Sequence, residues 1–277
     1  MAVHRIALPI DPVDPAEALF AHGVALALHN YAELDLVHVH QPGTQGHFSG
    51  MPGLRELLVR WGRLAPEAPA QALAALRIRV VLDTVSGLDP AQTAGREVQS
   101  LHPDLLVVGT HRRKGLAAFF VGSVAAEIAR AADVPTLFLG LGEPGFVDLQ
   151  TGALHVRRVL VPVGQDLDDE RAVELCAAWL PVLGAGPFQI HLLRVGPPVE
   201  APPPSAPPGL EAEILRASQN LGDLVAGVLA AAQELKPDLV LMPSHGHDSW
   251  LDSIAGSKTE QLVRWIPLPV LVVPLKG

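Results

Sequence analysis

One segment of this chain occurs twice. Residues 104–139 read DLLVVGTHRRKGLAAFFVGSVAAEIARAADVPTLFL, and residues 238–273 read DLVLMPSHGHDSWLDSIAGSKTEQLVRWIPLPVLVV. Both run Asp-Leu, an apolar strand, a Ser/Thr-His loop, Gly-Ser, a helix, Pro and a second apolar strand. The copies lie about half a chain apart, so the unit is too long for a solenoid and reads as a domain duplication. Each copy holds only part of a domain. The remaining strands and helices must be sought upstream of it.

The upstream pattern alternates. In the first half, strands are expected at Arg5–Asp11, Leu34–His40, Leu76–Thr84, Leu105–Gly109 and Thr136–Leu139. Between the first two, Ala16, Leu19, Phe20, Gly23, Val24 and Ala27 follow the i, i+3, i+4, i+7 spacing of a helix with one buried face. Leu54, Leu57, Leu58, Trp61 and Leu64 do the same in a second helix. Asp89-Pro90 supplies a cap and a first helical residue for another, and Ser123–Ala131 forms the last. Strands alternating with helices imply parallel pairing and an α/β layered domain. The strands are short apolar runs, as expected where helices cover both faces of a sheet.

The second half restarts at Val156–Val163, followed by a helix over Asp168–Leu183 and a strand over Phe188–Val195. Gly196–Gly209, GPPVEAPPPSAPPG, holds seven prolines and reads as an extended connector. A single helix is expected over Leu210–Leu235, running into a strand at Asp238–Met242. The second half is shorter between its second strand and the repeated segment, by about one helix and one strand. The expected architecture is therefore a five-stranded domain over 1–140, a linker over 141–155 and a shortened, four-stranded domain over 156–277.

Composition narrows the function classes. Hydrophobic residues at 49% and charged residues at 18% permit sizeable cores and argue against disorder. A net charge of −9 without a basic run argues against nucleic acid as a partner. No stretch approaches the roughly 18 apolar residues of a spanning helix, and MAVHRIALPIDP lacks the form of a signal peptide, so no membrane role and a cytoplasmic location are expected. Cys176 is the single cysteine and falls in an amphipathic helix, where a packed thiol is expected. His38 and His40 share a strand face but lack further ligands at metal spacing, so no metal is expected.

The repeated segment ends a strand, crosses a loop and starts a helix at Gly-Ser. That is the carboxyl end of a parallel sheet, the usual ligand crevice of open α/β folds. Backbone N–H groups at a helix start attract anions. Equally, Gly122-Ser123 can serve only to turn and cap the helix.

These residues resemble the universal stress protein family, whose nucleotide-binding members carry G-x2-G-x9-G-[ST] between the fourth strand and the last helix. The resemblance implies two Rossmann-like domains in tandem and binding of adenine nucleotide, ATP, at that loop. It also implies an Asp ending the first strand and a Val near the end of the second, both near adenine and ribose. In the first half the matching positions are Asp11, Val39, Gly109, Gly122 and Ser123, while Arg112 stands at the second Gly. Arg112 can crowd the site if φ > 0 is needed there, or hold phosphate oxygens with its guanidinium. In the second half Val195, Gly246, Gly256 and Ser257 match, Pro243 replaces the first Gly and Gly164 replaces the Asp. Nucleotide is thus expected mainly in the first half.

Family members commonly pair through the last strand, here Thr136–Leu139 and Pro269–Val273. An internal pseudo-dimer is therefore implied, with a further homodimer open. A regulatory or interaction protein of the same fold, without nucleotide, is the alternative reading. An enzyme is not expected. His245-Gly246-His247 fails the H-x-G-H spacing of nucleotidyl transferases, since Ser244 lies three residues before His247. No nucleophile elbow or P-loop is present.

Overall fold

The computed structural model describes residues 2–11, 17–40, 53–69, 71–76, 79–110, 124–143, 145–164, 167–245 and 258–275. The chain divides into two compact units, Ala2–Leu154 and His155–Gly277.

In the first unit the described elements are β1 (Arg5–Pro9), α1 (Glu17–Asn30), β2 (Glu33–His40), α2 (Leu54–Arg60), α3 (Gln71–Ala74), β3 (Arg79–Ser86), α4 (Pro90–Leu101), β4 (Leu105–Thr110), α5 (Val124–Ala132) and β5 (Thr136–Gly140). The strands stand in the order β3-β2-β1-β4-β5, and the pairs are parallel. Leu105, Leu106 and Val107 are buried completely, as their continuous apolar run requires in a sheet covered on both faces. Helix α4 starts as its sequence dictates. Asp89 accepts the Gln92 N–H at 3.1 Å and Pro90 takes the first turn.

Helix α1 is buried on more than the one face its spacing predicts. Leu19 to Ala27 are all buried, including His22. Gly23 lets the helix lie close to the sheet, because a Cβ there would strike Leu8. The opposite side is covered by residues 145–154. Phe146 and Val147 of this segment are buried, and Val147 bridges Leu154. Leu149 accepts a hydrogen bond from the Trp61 indole at 3.1 Å. The residues expected to form a linker therefore complete the core of the first unit. A helix apolar all round needs such a cover.

The second unit holds β6 (Arg158–Val163), α6 (Asp169–Leu183), β7 (Phe188–Val195), β8 (Ala212–Gln219), α7 (Leu224–Leu235), β9 (Leu239–His245), α8 (Lys258–Trp265) and β10 (Val270–Leu275). The order is β8-β7-β6-β9-β10, again with parallel pairs. This corrects the expectation of a four-stranded second domain with one helix over Leu210–Leu235. Residues 212–219 pair with β7 along its whole length, from Phe188↔Ala212 to Val195↔Gln219. Helix α7 begins only at Leu224, capped by Asp223 through the Ala226 N–H at 2.9 Å. What the second unit lacks is the helical part of one crossover. Between β2 and β3 the first unit has α2 and α3; between β7 and β8 the second has the proline segment.

The segment is held at several points. Gly196 donates its N–H to Gln219 O at 2.9 Å, and Leu210 donates to Pro207 O at 3.1 Å. Arg216 reaches both Pro202 O, at 2.9 Å, and the Asp169 carboxylate. Asp169 also lies 3.6 Å from Arg194. In the first unit a comparable ion pair joins Glu17 of α1 to Arg60 of α2. Glu17–Arg60 ties the first turn of the helix after the first strand directly to the following crossover, whereas Asp169 is tied to strands β7 and β8 and reaches the crossover only through the Arg216 bond to Pro202 O.

Candidate functional site

In the first unit the strand order turns back between β1 and β4, the point at which open α/β sheets leave a crevice beyond their carboxyl ends. Asp11, Val39 and Gly109 all lie at those ends. Asp11 follows β1 by two residues and is exposed. Val39 is the penultimate residue of β2, opposite Val85 of β3, and is half-buried. Gly109 is the penultimate residue of β4, opposite Leu139 of β5. The structure thus brings together three of the expected residues on adjacent strands. Arg112, Gly122 and Ser123 lie outside the described residues.

Backbone bonds shape this end of the sheet. Ile10 donates its N–H to Val37 O at 2.9 Å, and the His38 ring contacts the Ile10 carbonyl through Nδ1 at 3.2 Å. His38 is buried and lies between two residues of the expected site strand. Its bond to Ile10, the residue that follows β1, is a contact that motif spacing alone does not reveal. Gly109 serves packing directly: a Cβ there would lie 2.8 Å from Leu141 Cδ2 and 3.1 Å from Leu19 Cδ2. Thr110 is buried, donates its hydroxyl to Leu139 O at 3.2 Å and accepts the Leu141 N–H at 2.9 Å.

The corresponding end of the second unit is built differently. Gly164 stands where the first unit has Asp11, and its Cβ position opens onto free space. Its N–H closes a turn on Leu167 O at 2.9 Å, just before the Asp168 cap of α6. Val195 ends β7, and its methyl groups press on Gly227 of α7. Pro243 sits within β9 opposite Val273 and offers no N–H donor. Gly246, Gly256 and Ser257 lie outside the described residues.

The groups with perturbed acidity lie away from these strand ends. Asp35 is 2% exposed, and burial raises its pKa above the usual carboxylate range. Arg5 opposes that rise, Glu33 and Asp83 add to it, and Arg79 opposes it. Arg5, Glu33 and Arg79 each open their strands, at the amino end of the sheet. Arg5 pairs with Asp35 at 3.3 Å and with Glu33 at 3.5 Å, and Arg79 with Glu33 at 3.0 Å. Burial depresses His191, and Arg158 adds to that while Glu213 works against it. Among the described residues, no group of three or more His, Cys, Asp or Glu is placed to hold a metal ion. No described helix is long and apolar enough to cross a membrane.

A family model described as the universal stress protein family matches residues 2–139 and 213–274. The chain belongs to the universal stress protein family. The second match resumes inside β8, so β6 and β7 fall outside it although they repeat β1 and β2. No curated protein matches the chain. Among solved structures, a universal stress protein from Archaeoglobus fulgidus DSM 4304 is 19% identical, with a TM-score of 0.58, over 99% of this chain and 97% of that chain. A candidate universal stress protein from Pseudomonas aeruginosa UCBPP-PA14 is 13% identical, with a TM-score of 0.63, over 99% of this chain and 94% of that chain. At such identities the likeness concerns the fold. A universal stress protein in complex with cAMP is 22% identical over 51% of this chain and 99% of that chain, with a TM-score of 0.34. As a tandem universal stress protein, this chain has halves that differ just after the first strand, where the first has Asp11 and the second Gly164.

Proposed function

We propose that this chain is a stress-response ligand-binding protein whose first unit takes an adenine nucleotide, ATP, in the crevice beyond β1, β2 and β4. The observation that carries this reading is the convergence of Asp11, Val39 and Gly109 at adjacent carboxyl strand ends beside the switch point. An exposed carboxylate there can accept hydrogen bonds from ribose hydroxyls, and a half-buried valine offers an apolar surface to a base. The family pattern assigns the phosphates to the loop that holds Arg112, Gly122 and Ser123. The second unit lacks the carboxylate at Gly164 and a donor at Pro243. Its Val195, Gly246, Gly256 and Ser257 therefore make the weaker site.

The same two losses favour the second reading, an interaction protein of this fold without nucleotide. One experiment separates them. The purified protein is denatured, the released material is examined for absorbance near 260 nm, and ATP is titrated calorimetrically. Released nucleotide or binding heat supports the first reading; the absence of both overturns it. Asp11→Ala is expected to weaken ATP by roughly tenfold to a hundredfold, the value of a charged hydrogen bond. Gly246→Ala is expected to change it little. Equal losses would contradict the ranking of the two units.

A further inference from the structure

We propose that His38 is the positioning residue for Asp11, an inference that rests on the nucleotide reading above. The parallel ladder between β1 and β2 runs from Arg5↔Glu33 to Pro9↔Val37. Just beyond it, the Ile10 N–H still reaches Val37 O at 2.9 Å. The Ile10 carbonyl is met by a side chain, His38 Nδ1, at 3.2 Å. A carbonyl can only accept, so Nδ1 carries the proton and donates it. The Ile10 carbonyl and the Asp11 nitrogen belong to one planar peptide group. Holding that carbonyl fixes the plane from which Asp11 departs, although Asp11 itself is exposed. His38 is buried, so its ring is a firm anchor for an exposed residue.

The second unit supplies the contrast. The residue preceding Val195 is Arg194, which turns to Asp169 at the start of α6. The residue in the Asp11 position is Gly164, held by its own turn to Leu167. The imidazole anchor accompanies the carboxylate, and where the carboxylate is gone the anchor position has been given to an ion pair. His38 therefore belongs to the ligand site through its effect on Asp11 rather than through contact with ligand.

The test is a double-mutant cycle with ATP as the probe, read by calorimetry on the full chain. His38→Ala is expected to weaken ATP about threefold to tenfold, the net worth of one hydrogen bond. His38→Asn, whose amide nitrogen lies as far along the side chain as Nδ1, is expected to recover affinity to within about twofold. In an Asp11→Ala background, His38→Ala should add less than about twofold, because the residue it positions is gone. Equal losses in both backgrounds, or no rescue by Asn, would overturn the proposal. Amide hydrogen exchange at Asp11 without ligand gives an independent readout. His38→Ala should speed it and His38→Asn should restore it. If the wild-type chain releases and binds no nucleotide, the functional reading falls, while unchanged Asp11 exchange in His38→Ala would separately sink the His38 anchor.

Discussion

Asp104 and Asp238 make the same pair of bonds in the two units. Asp104 Oδ2 accepts the backbone N–H groups of His4 at 2.7 Å and Arg5 at 3.0 Å. Asp238 Oδ2 accepts those of Arg157 at 2.9 Å and Arg158 at 2.8 Å. Each Asp immediately precedes the strand beside the unit's first strand. Arg5 and Arg158 then reach the last carbonyl of the preceding helix, Leu101 at 2.8 Å and Leu235 at 3.1 Å. His102 and Lys236, which end those helices, both adopt φ 48. The amino end of each sheet is thus closed by one repeated arrangement, and this gives the Asp that opens each copy of the sequence repeat its physical reason.

Removing either carboxylate strands two backbone donors at a strand start, one of them partly buried in each unit. Asp104→Ala and Asp238→Ala are each expected to cost about 1–3 kcal/mol, with Asn recovering part of it by keeping an acceptor without the charge. Urea unfolding followed by circular dichroism measures this. A change below about 0.5 kcal/mol, the usual scatter for surface substitutions, would contradict it.

His22 makes stability depend on pH. It is 1% exposed, Nδ1 donates to Ala18 O at 2.6 Å, and Nε2 accepts the Phe146 N–H at 3.0 Å. Phe146 also meets its ring edge-on, with centroids 4.9 Å apart. Burial lowers the His22 pKa from 6.5 to about 4, against a small raising effect of the Ala18 bond. A proton on Nε2 would abolish the acceptor that holds residues 145–154. Between about 4 and 6.5 the unfolded chain binds a proton that the folded chain refuses, so stability is full above 6.5 and falls as pH drops toward 4. The loss from this residue is on the order of 3 kcal/mol. His22→Gln should be less stable at neutral pH but lose less between pH 7 and pH 4.5. Parallel slopes for wild type and variant would refute the assignment.

Much of the fold was readable because hydrophobic period and caps agree. Asp89-Pro90 starts α4, Asp168 starts α6, and Leu57, Leu58, Trp61 and Leu64 are buried as their spacing requires. Strand β8 was not readable in the same way. Its residues, AEILRASQ, are mostly good helix formers, and they become a strand because the β7 edge offers a full set of backbone partners. A local signal did exist in Asn220-Leu221-Gly222-Asp223, where Gly222 has φ +67 and Asp223 caps the next helix. The placement of Asp11, Val39 and Gly109 at carboxyl strand ends was legible from the family pattern laid over the expected strands. The His38–Ile10 bond was not, because it joins β2 to the residue after β1 through a side chain that spacing cannot place.

Cys176 should be inert in the folded protein. It is fully buried in α6, and burial pushes its thiol up to about 12. A thiolate is the reactive form, so both access and ionisation are withheld near neutral pH. An aromatic disulfide reagent at pH 8 is expected to give no reaction with the native chain and one equivalent in denaturant. Rapid modification of the native chain would contradict the packing of α6.

Gly109 and Gly164 separate packing from ligand binding. Gly109→Ala places a methyl 2.8 Å from Leu141 and 3.1 Å from Leu19, both movable side chains, so a cost of about 1–2 kcal/mol is expected with or without nucleotide. Gly164 has open space at its Cβ and a φ outside the left-handed region. Gly164→Ala is therefore expected to be neutral or to stabilise by about 0.4–1 kcal/mol. Gly164→Asp returns a carboxylate to the first-strand end of the second unit. Pro243 still withholds a donor from the neighbouring strand, so ATP stoichiometry is expected to stay at one per chain in calorimetry. A second equivalent bound by Gly164→Asp would show that the missing carboxylate alone separates the two units.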